Sequence, residues 1–389
     1  MSRVGLREWL AVAPVFATGR TSRYGAQPGR YSDRCEARLR ELTGAKYAIA
    51  MNSGTNALAS GLAATGIGPG DEVLVPAYTW LSTAAAVLAV GAVPILVDID
   101  ETITIDPADI ERRISKRTRA IIPVHMGNIV CAMAEILEIA RRHNLIVIED
   151  ACQAAGVRYR GKCVGTIGDA GAFSFNSHKN INVGEGGALL TNDEITFQRS
   201  LMYHDVGAQI RHHDNIVQPY FTGFNFKVTE LSSAVLNVQL SKLPAMMSRL
   251  RKRHDAMKAI MEKSAAFRIC PHNDPDEACG MHVIFETPEE AKLFAQSQRG
   301  TYRLLDSGRH VYTNWDAIMQ RNAFHPLMNV WERADRDVQY SRETCARTLD
   351  ILGRTCHISL GQGYPTAVLR YLAKGHANWR NGASDALYN

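Results

Sequence analysis

Leu145-Ile-Val-Ile-Glu-Asp-Ala-Cys-Gln153, followed by Gly171-Ala-Phe-Ser-Phe-Asn-Ser-His-Lys179, decides how this chain is read. The first stretch is a β-branched run ending in two acids, the pattern of a buried strand whose carboxyl end opens on a ligand crevice. Asp150 is placed there to bond a protonated ring nitrogen, and Gln153 to donate to a second polar atom of the same ligand. A strand-end aspartate that only caps the next loop explains Asp150 equally well when it is taken alone. The second stretch, closed by Gly184-Glu-Gly-Gly187, sets Lys179 in a polar, glycine-rich bend between two apolar segments. A lysine in such a bend is ordinarily solvated. The functional alternative is a partly desolvated nucleophile that forms a Schiff base and later moves a proton.

Outward from this pair, residues 35–200 alternate helical patterns with short β-branched runs, the signature of an α/β domain with a mostly parallel sheet. Strands are predicted at 71–76, 93–97, 120–124, 145–149, 171–175 and 187–190, and helices at 81–90 and 132–143. Asp106-Pro107 reads as an N-cap with proline at the first helical position. Before the first of these strands, Asn52-Ser-Gly-Thr-Asn-Ala57 puts small polar residues where a helix begins. Free N–H groups there, with the Ser53 and Thr55 hydroxyls, would hold a phosphate, although an ordinary N-cap explains the motif by itself more simply. Ser174 would reach the same anion. A long helical pattern from Thr229 through Leu243 to Lys263 suits a connection between domains. Beyond it, predicted strands (267–271, 281–286, 356–359) mix with helices (287–297, 340–352, 365–374), as in a smaller α+β domain. The expected division is an N-terminal arm (1–30), a large domain (31–243) and a small C-terminal domain (244–389).

The 389 residues are 46% apolar with a net charge of +5. No Lys/Arg block marks a nucleic-acid or anionic-membrane binder, so small molecules are the expected partners. Eight cysteines without a CxxC pair suggest a reducing compartment. The apolar run Trp9–Ala17 carries Pro14 and follows Glu8, which favours an amphipathic arm over a signal peptide. The run 83–97 is broken by Gly91 and Pro94, which excludes a single spanning helix. A cytoplasmic protein is the expectation. His204-Asp205 and His212-His213-Asp214 lack a helical metal-ligand spacing, so no metal site is predicted; His204 and the 205–222 loop read instead as a cover over substrate, with Tyr31 a second substrate candidate.

A phosphate-binding helix start, a strand-end aspartate and a lysine 29 residues later together supply the protein groups that pyridoxal 5'-phosphate (PLP) chemistry requires. The chain resembles the DegT/DnrJ/EryC1/StrS sugar aminotransferases, a group of the fold-type I PLP enzymes. The likeness lies mostly within residues 20–240 and is carried by "NSGTNAL", "GPGDEVLVPAYTW", "VPVHM", "IEDACQAAG", "AFSFNSHKN", "GEGGALLTND" and "GFNFKVTEL". It implies a seven-stranded, mostly parallel mixed sheet between helices, with a smaller α+β C-terminal domain. It also implies that Lys179 carries PLP as a Schiff base, that Asp150 pairs with the pyridine nitrogen and that Gln153 faces the ring hydroxyl. Gly54, Thr55 and Ser174 would hold the phosphate, with Ser53 beside them, and Trp80 would stack on the ring. Asn225 would reach the phosphate of the neighbouring subunit's cofactor in a homodimer with shared sites. The implied reaction moves an amino group from glutamate or glutamine to a keto sugar or cyclitol. Lys179 argues against relatives that carry histidine there and act as dehydratases. His178 before the lysine, the lack of the acidic residue that the family often carries near Ala132 and the loose match of the C-terminal third depart from the family and leave the acceptor open. A lyase, dehydratase or oxidase on the same scaffold and a non-catalytic regulator are the alternatives.

Overall fold

A computed structural model describes residues 4–24, 29–207, 219–334, 336–361 and 364–381. In chain order the elements are α1 (Leu6–Thr18), α2 (Tyr31–Thr43), β1 (Tyr47–Met51), α3 (Gly54–Ala64), β2 (Glu72–Pro76), α4 (Ser82–Ala89), β3 (Val93–Val97), α5 (Pro107–Arg113), β4 (Thr118–Ile121), α6 (Met133–His143) and β5 (Ile146–Asp150). They continue with the short hairpin β6 (Arg158–Tyr159) and β7 (Lys162–Cys163), then β8 (Ala170–Ser174), β9 (Gly187–Thr191), α7 (Glu194–His204) and α8 (Glu230–Met261). The last third holds β10 (Arg268–Ile269), β11 (His282–Ile284), α9 (Pro288–Ser297), β12 (Thr301–Arg303), α10 (Asp316–Met319), α11 (Ala346–Arg354), β13 (Thr355–Ile358) and α12 (Thr366–Ala377).

The main sheet has the order β1-β9-β8-β5-β4-β2-β3, with β9 antiparallel to both its neighbours and the other pairs parallel. Its β2, β3, β8 and β9 are buried at every position, as continuous apolar strands covered on both faces must be. A second, antiparallel sheet, β10-β11-β13-β12, forms the centre of the C-terminal part. This is the sheet-and-helix architecture expected from the sequence.

Two local differences have plain causes. The strand expected at 120–124 is β4, ending at Ile121, because Pro123 brings no N–H to the ladder; Val124 keeps only an isolated bridge to Asp150. The helix expected at 340–352 starts at Ala346. Ser341 and Thr344 bond each other first, Thr344 Oγ1 accepting from Ser341 N–H (2.8 Å) and Thr344 N–H donating to the Ser341 carbonyl (3.2 Å). Helix α8 runs unbroken through Pro244 and packs against α1, α2 and α12, so one element touches both ends of the chain. The arm docks on it: Glu8 is buried and accepts from Gln239 Nε2 (2.8 Å), from Lys242 and from Gly5 N–H (2.9 Å). Leu6, Trp9, Leu10 and Phe16 point away from that contact and are exposed. Among the described residues no helix is long and apolar enough to cross a membrane.

Candidate active site

The carboxyl end of β5 gathers the chemistry. Asp150 is 5% exposed, and its Oδ2 accepts from Thr83 Oγ1 at 2.7 Å, itself 2.7 Å from Thr79 Oγ1. Its Oδ1 accepts from Cys152 N–H at 3.1 Å. The carboxylate is thus held by donors from two segments, and both oxygens are fixed in direction. Beneath it, fully buried Glu149 accepts from the N–H groups of Gly165 (2.8 Å), Ile167 (2.6 Å) and Gly168 (2.8 Å) and from His125 Nε2 (3.0 Å). Since His125 Nδ1 accepts from Cys131 N–H (3.1 Å), Nε2 carries the proton.

Helix α3 points its N-terminus at this strand end. Ser53 is its N-cap, accepting at Oγ from Asn56 N–H (3.1 Å), while Ala57 N–H donates to the Ser53 carbonyl. The N–H groups of Gly54 and Thr55 have no acceptor within the helix and carry the positive end of its dipole. Gly54 is indispensable here. A Cβ on it would sit 2.6 Å from Cys152 Sγ and 2.9 Å from Ser174 Cβ, and a Cβ on Gly187 would lie 2.3 Å from the Ser53 carbonyl carbon. Ser174, at the end of β8, is therefore packed beside this helix start.

Lys179 follows β8 and borders a cavity of about 320 Å³ with Gln153, Tyr78, His282, Tyr302 and His357. Gln153 Oε1 accepts from Gly127 N–H (3.2 Å), which leaves its amide donors for a ligand. Cys152 ties the three parts together: it bonds Asp150, lies against Gly54, and its thiol is pushed well up by burial and the Asp150 charge, an effect that Lys179 opposes. His310 also lies within the field of Lys179; burial lowers it, its Nδ1 donates to the Ser307 carbonyl (3.0 Å), and its ring packs 5.1 Å from that of Trp80. The residues present fit PLP: Lys179 and the Gln153 amide border the cavity, and Cys152 links them to the buried Asp150 carboxylate and to a helix start too tight for any Cβ at Gly54.

Not every residue singled out in the sequence falls here. His204 is buried away from the Lys179 cavity. Its Nδ1 donates to the Leu201 carbonyl (2.8 Å), its Nε2 accepts from Tyr24 Oη (2.9 Å), and burial together with Arg23 lowers it to about 3. A ring with both nitrogens engaged inside the fold has none left for substrate. Tyr31 opens α2, where its N–H donates to Glu230 and Arg34 covers its ring, so it is not brought to the cavity either. Asn225 is exposed and pairs with Asp205 in a short antiparallel bridge. His212, His213, Asp214 and most of the proposed cover loop lie outside the described residues. Among those described, no three His, Cys, Asp or Glu side chains converge as a metal-ligand set. Sequence reading missed Thr83, His282 and His357.

Comparison with known proteins agrees with this geometry. The model of the DegT/DnrJ/EryC1/StrS aminotransferase family matches residues 16–351. The chain belongs to that family. A protein of Micromonospora echinospora named as an L-glutamine:3-amino-2,3-dideoxy-scyllo-inosose aminotransferase is 44% identical over 218 residues, 56% of this chain and 51% of that one. A GDP-perosamine synthase of Caulobacter vibrioides is 44% identical over 218 residues, 55% of this chain and 57% of that one. The chain thus spans about half the length of these curated family members. Among solved structures, S. venezuelae DesV in complex with a ketimine intermediate superposes with a TM-score of 0.75 at 27% identity, over 95% of this chain and 94% of that one.

Proposed function

We propose that this protein is a PLP-dependent aminotransferase that moves an amino group from glutamate or glutamine onto the keto group of a sugar or cyclitol. The observation that carries the reading is the juxtaposition around Cys152 of three parts: the Asp150 carboxylate it bonds, the α3 start packed on it at Gly54, and Lys179, whose charge it feels at the edge of the cavity. The names of the two family members above, one a cyclitol and one a sugar enzyme, support the acceptor class.

PLP, when bound, supplies an electron-accepting ring that acidifies the donor's α-carbon. The residues do the rest. Lys179 is the attachment point, and once released its Nζ takes the α-proton and returns it. Asp150, oriented by Thr83, keeps a proton on the ring nitrogen. The N–H groups of Gly54 and Thr55, with Ser53 and Ser174 beside them, would hold the phosphate, Gln153, whose Oε1 accepts from Gly127 N–H, would offer an amide donor to the ring hydroxyl, and Trp80 would cover the ring. In a homodimer, Asn225 is presented to the neighbouring subunit's cofactor.

An absorbance scan of the protein with PLP, before and after glutamate or glutamine, tests this directly. A visible-edge band that moves toward the near-ultraviolet with one donor is expected. Lys179→Ala should lose both the band and turnover; a fully active variant would sink the assignment. A band unmoved by either donor would favour a lyase-type reaction, and no band at all a regulator.

A further inference from the structure

The small sheet lays one row of ring side chains against the Lys179 cavity. In its register His282 on β11 pairs with His357 on β13, and His357 pairs with Tyr302 on β12, so the three share one face. All three line the cavity. His357 Nδ1 lies 3.3 Å from His282 Nε2, and the His357 ring leans on Tyr302 with centroids 4.9 Å apart and planes at 31°. From the large domain, the Gly127 turn closes on the row: a Cβ on Gly127 would stand 3.4 Å from His282 Cε1.

The hydrogen-bonding state of this row follows from its one orphan. His282 is 2% exposed, and its Nδ1 has no partner among the described residues. A buried orphan N–H is less tolerable than a buried orphan lone pair. His282 therefore keeps its proton on Nε2 and donates it to His357 Nδ1, which forces the His357 proton onto Nε2, the atom left for a ligand. Burial lowers His282 well below its ordinary value and His357 to about 4, so both rings are neutral at pH 7. Lys179 is the one Lys, Arg, Asp or Glu side chain among the described residues lining the cavity.

We propose that this row is the acceptor-recognition wall of the site, with the His357 Nε2–H donating to a hydroxyl or keto oxygen of a neutral, polyhydroxylated ring whose C–H face rests on Tyr302. His357 and Tyr302 are then specificity-determining residues and His282 a positioning residue that fixes the His357 tautomer. This inference rests on the aminotransferase reading and names the chemistry by which the acceptor is chosen.

The test separates the two half-reactions in the PLP-loaded protein. Scyllo-inosose and a neutral 4-keto-pyranose serve as acceptor probes, and the absorbance change with glutamate or glutamine reports the donor half. His357→Leu should raise KM for the probe that is turned over by about tenfold and slow the acceptor half far more than the donor half. His357→Gln, which restores an N–H donor near Nε2, should recover most of that loss. Tyr302→Ala, at a side chain 45% exposed and thus safe for folding, should weaken the same half. Equal losses in both halves, an unchanged KM in His357→Leu, or no turnover of either neutral probe by the unaltered protein would overturn the proposal. Failure of the aminotransferase reading looks different, because no donor then shifts the absorbance of the unaltered protein.

Discussion

Gly54 shows how narrowly one position can be determined. Its missing Cβ leaves the gap between Cys152 Sγ and Ser174 Cβ into which the start of α3 presses. Gly54→Ala should cost about 1–3 kcal/mol by overpacking and should weaken PLP binding more than stability; a PLP titration beside a urea melt separates the two. Asp150→Asn keeps the shape and the Thr83 contact but removes the charge that would hold a ring proton. Turnover should fall by about 10²-fold or more with little change in melting, and stopped-flow of the donor half would show it. Asp150, Lys179 and Gly54 could be singled out in the sequence because each sits inside a contiguous motif, and the three motifs are informative only in combination. Thr83, His282 and His357 were not, since only the pairing of distant strands and the packing of α4 bring them to the site. His204 misled for the opposite reason: a histidine beside a polar loop looks accessible, whereas Tyr24 and the α7 backbone consume both its nitrogens.

At the scale of elements, the apolar strands and their order along the chain could be read directly, because burial on both faces leaves a continuous apolar run. Boundaries failed where local chemistry intervenes, at Pro123 and at the Ser341–Thr344 turn. The loop after β7 has no apolar signature, yet it is pinned by the Glu149 carboxylate through three N–H groups. Glu149→Ala would strand those donors and His125 in the interior. A loss of about 3 kcal/mol or more is expected, read as a lower urea midpoint, together with faster amide exchange at Gly165, Ile167 and Gly168. Thr229 caps the long α8 by accepting from Ser232 N–H at 3.2 Å; its replacement by alanine should cost about 1 kcal/mol and leave PLP binding intact.

Across the whole molecule, several histidines are kept neutral by burial. His204 is lowered to about 3, His272 and His357 to about 4, and His282 well below its ordinary value near 6.5. In the unfolded chain each regains its ordinary affinity, so below about pH 6.5 the unfolded state binds more protons than the folded one. Their contribution to stability is complete above pH 6.5 and is lost as pH falls through the window down to about 4 and 3. Urea midpoints measured from pH 7.5 to 5 should fall steadily, and His204→Gln should flatten the slope. The docking of the arm could not be read from composition or periodicity. It depends on Glu8 meeting Gln239 and Lys242, more than 200 residues away, a pairing that no local pattern announces.

Of the eight free thiols, seven are buried and Cys152 alone is partly open. Wedged between Asp150, Gly54 and Lys179, it is a built-in gauge of occupancy. Because its thiol is pushed well up, labelling by a small methanethiosulfonate reagent should be slow and should quicken as pH rises, and PLP seated over α3 should slow it further, so that the labelling rate at one fixed alkaline pH counts loaded sites without any assay of turnover.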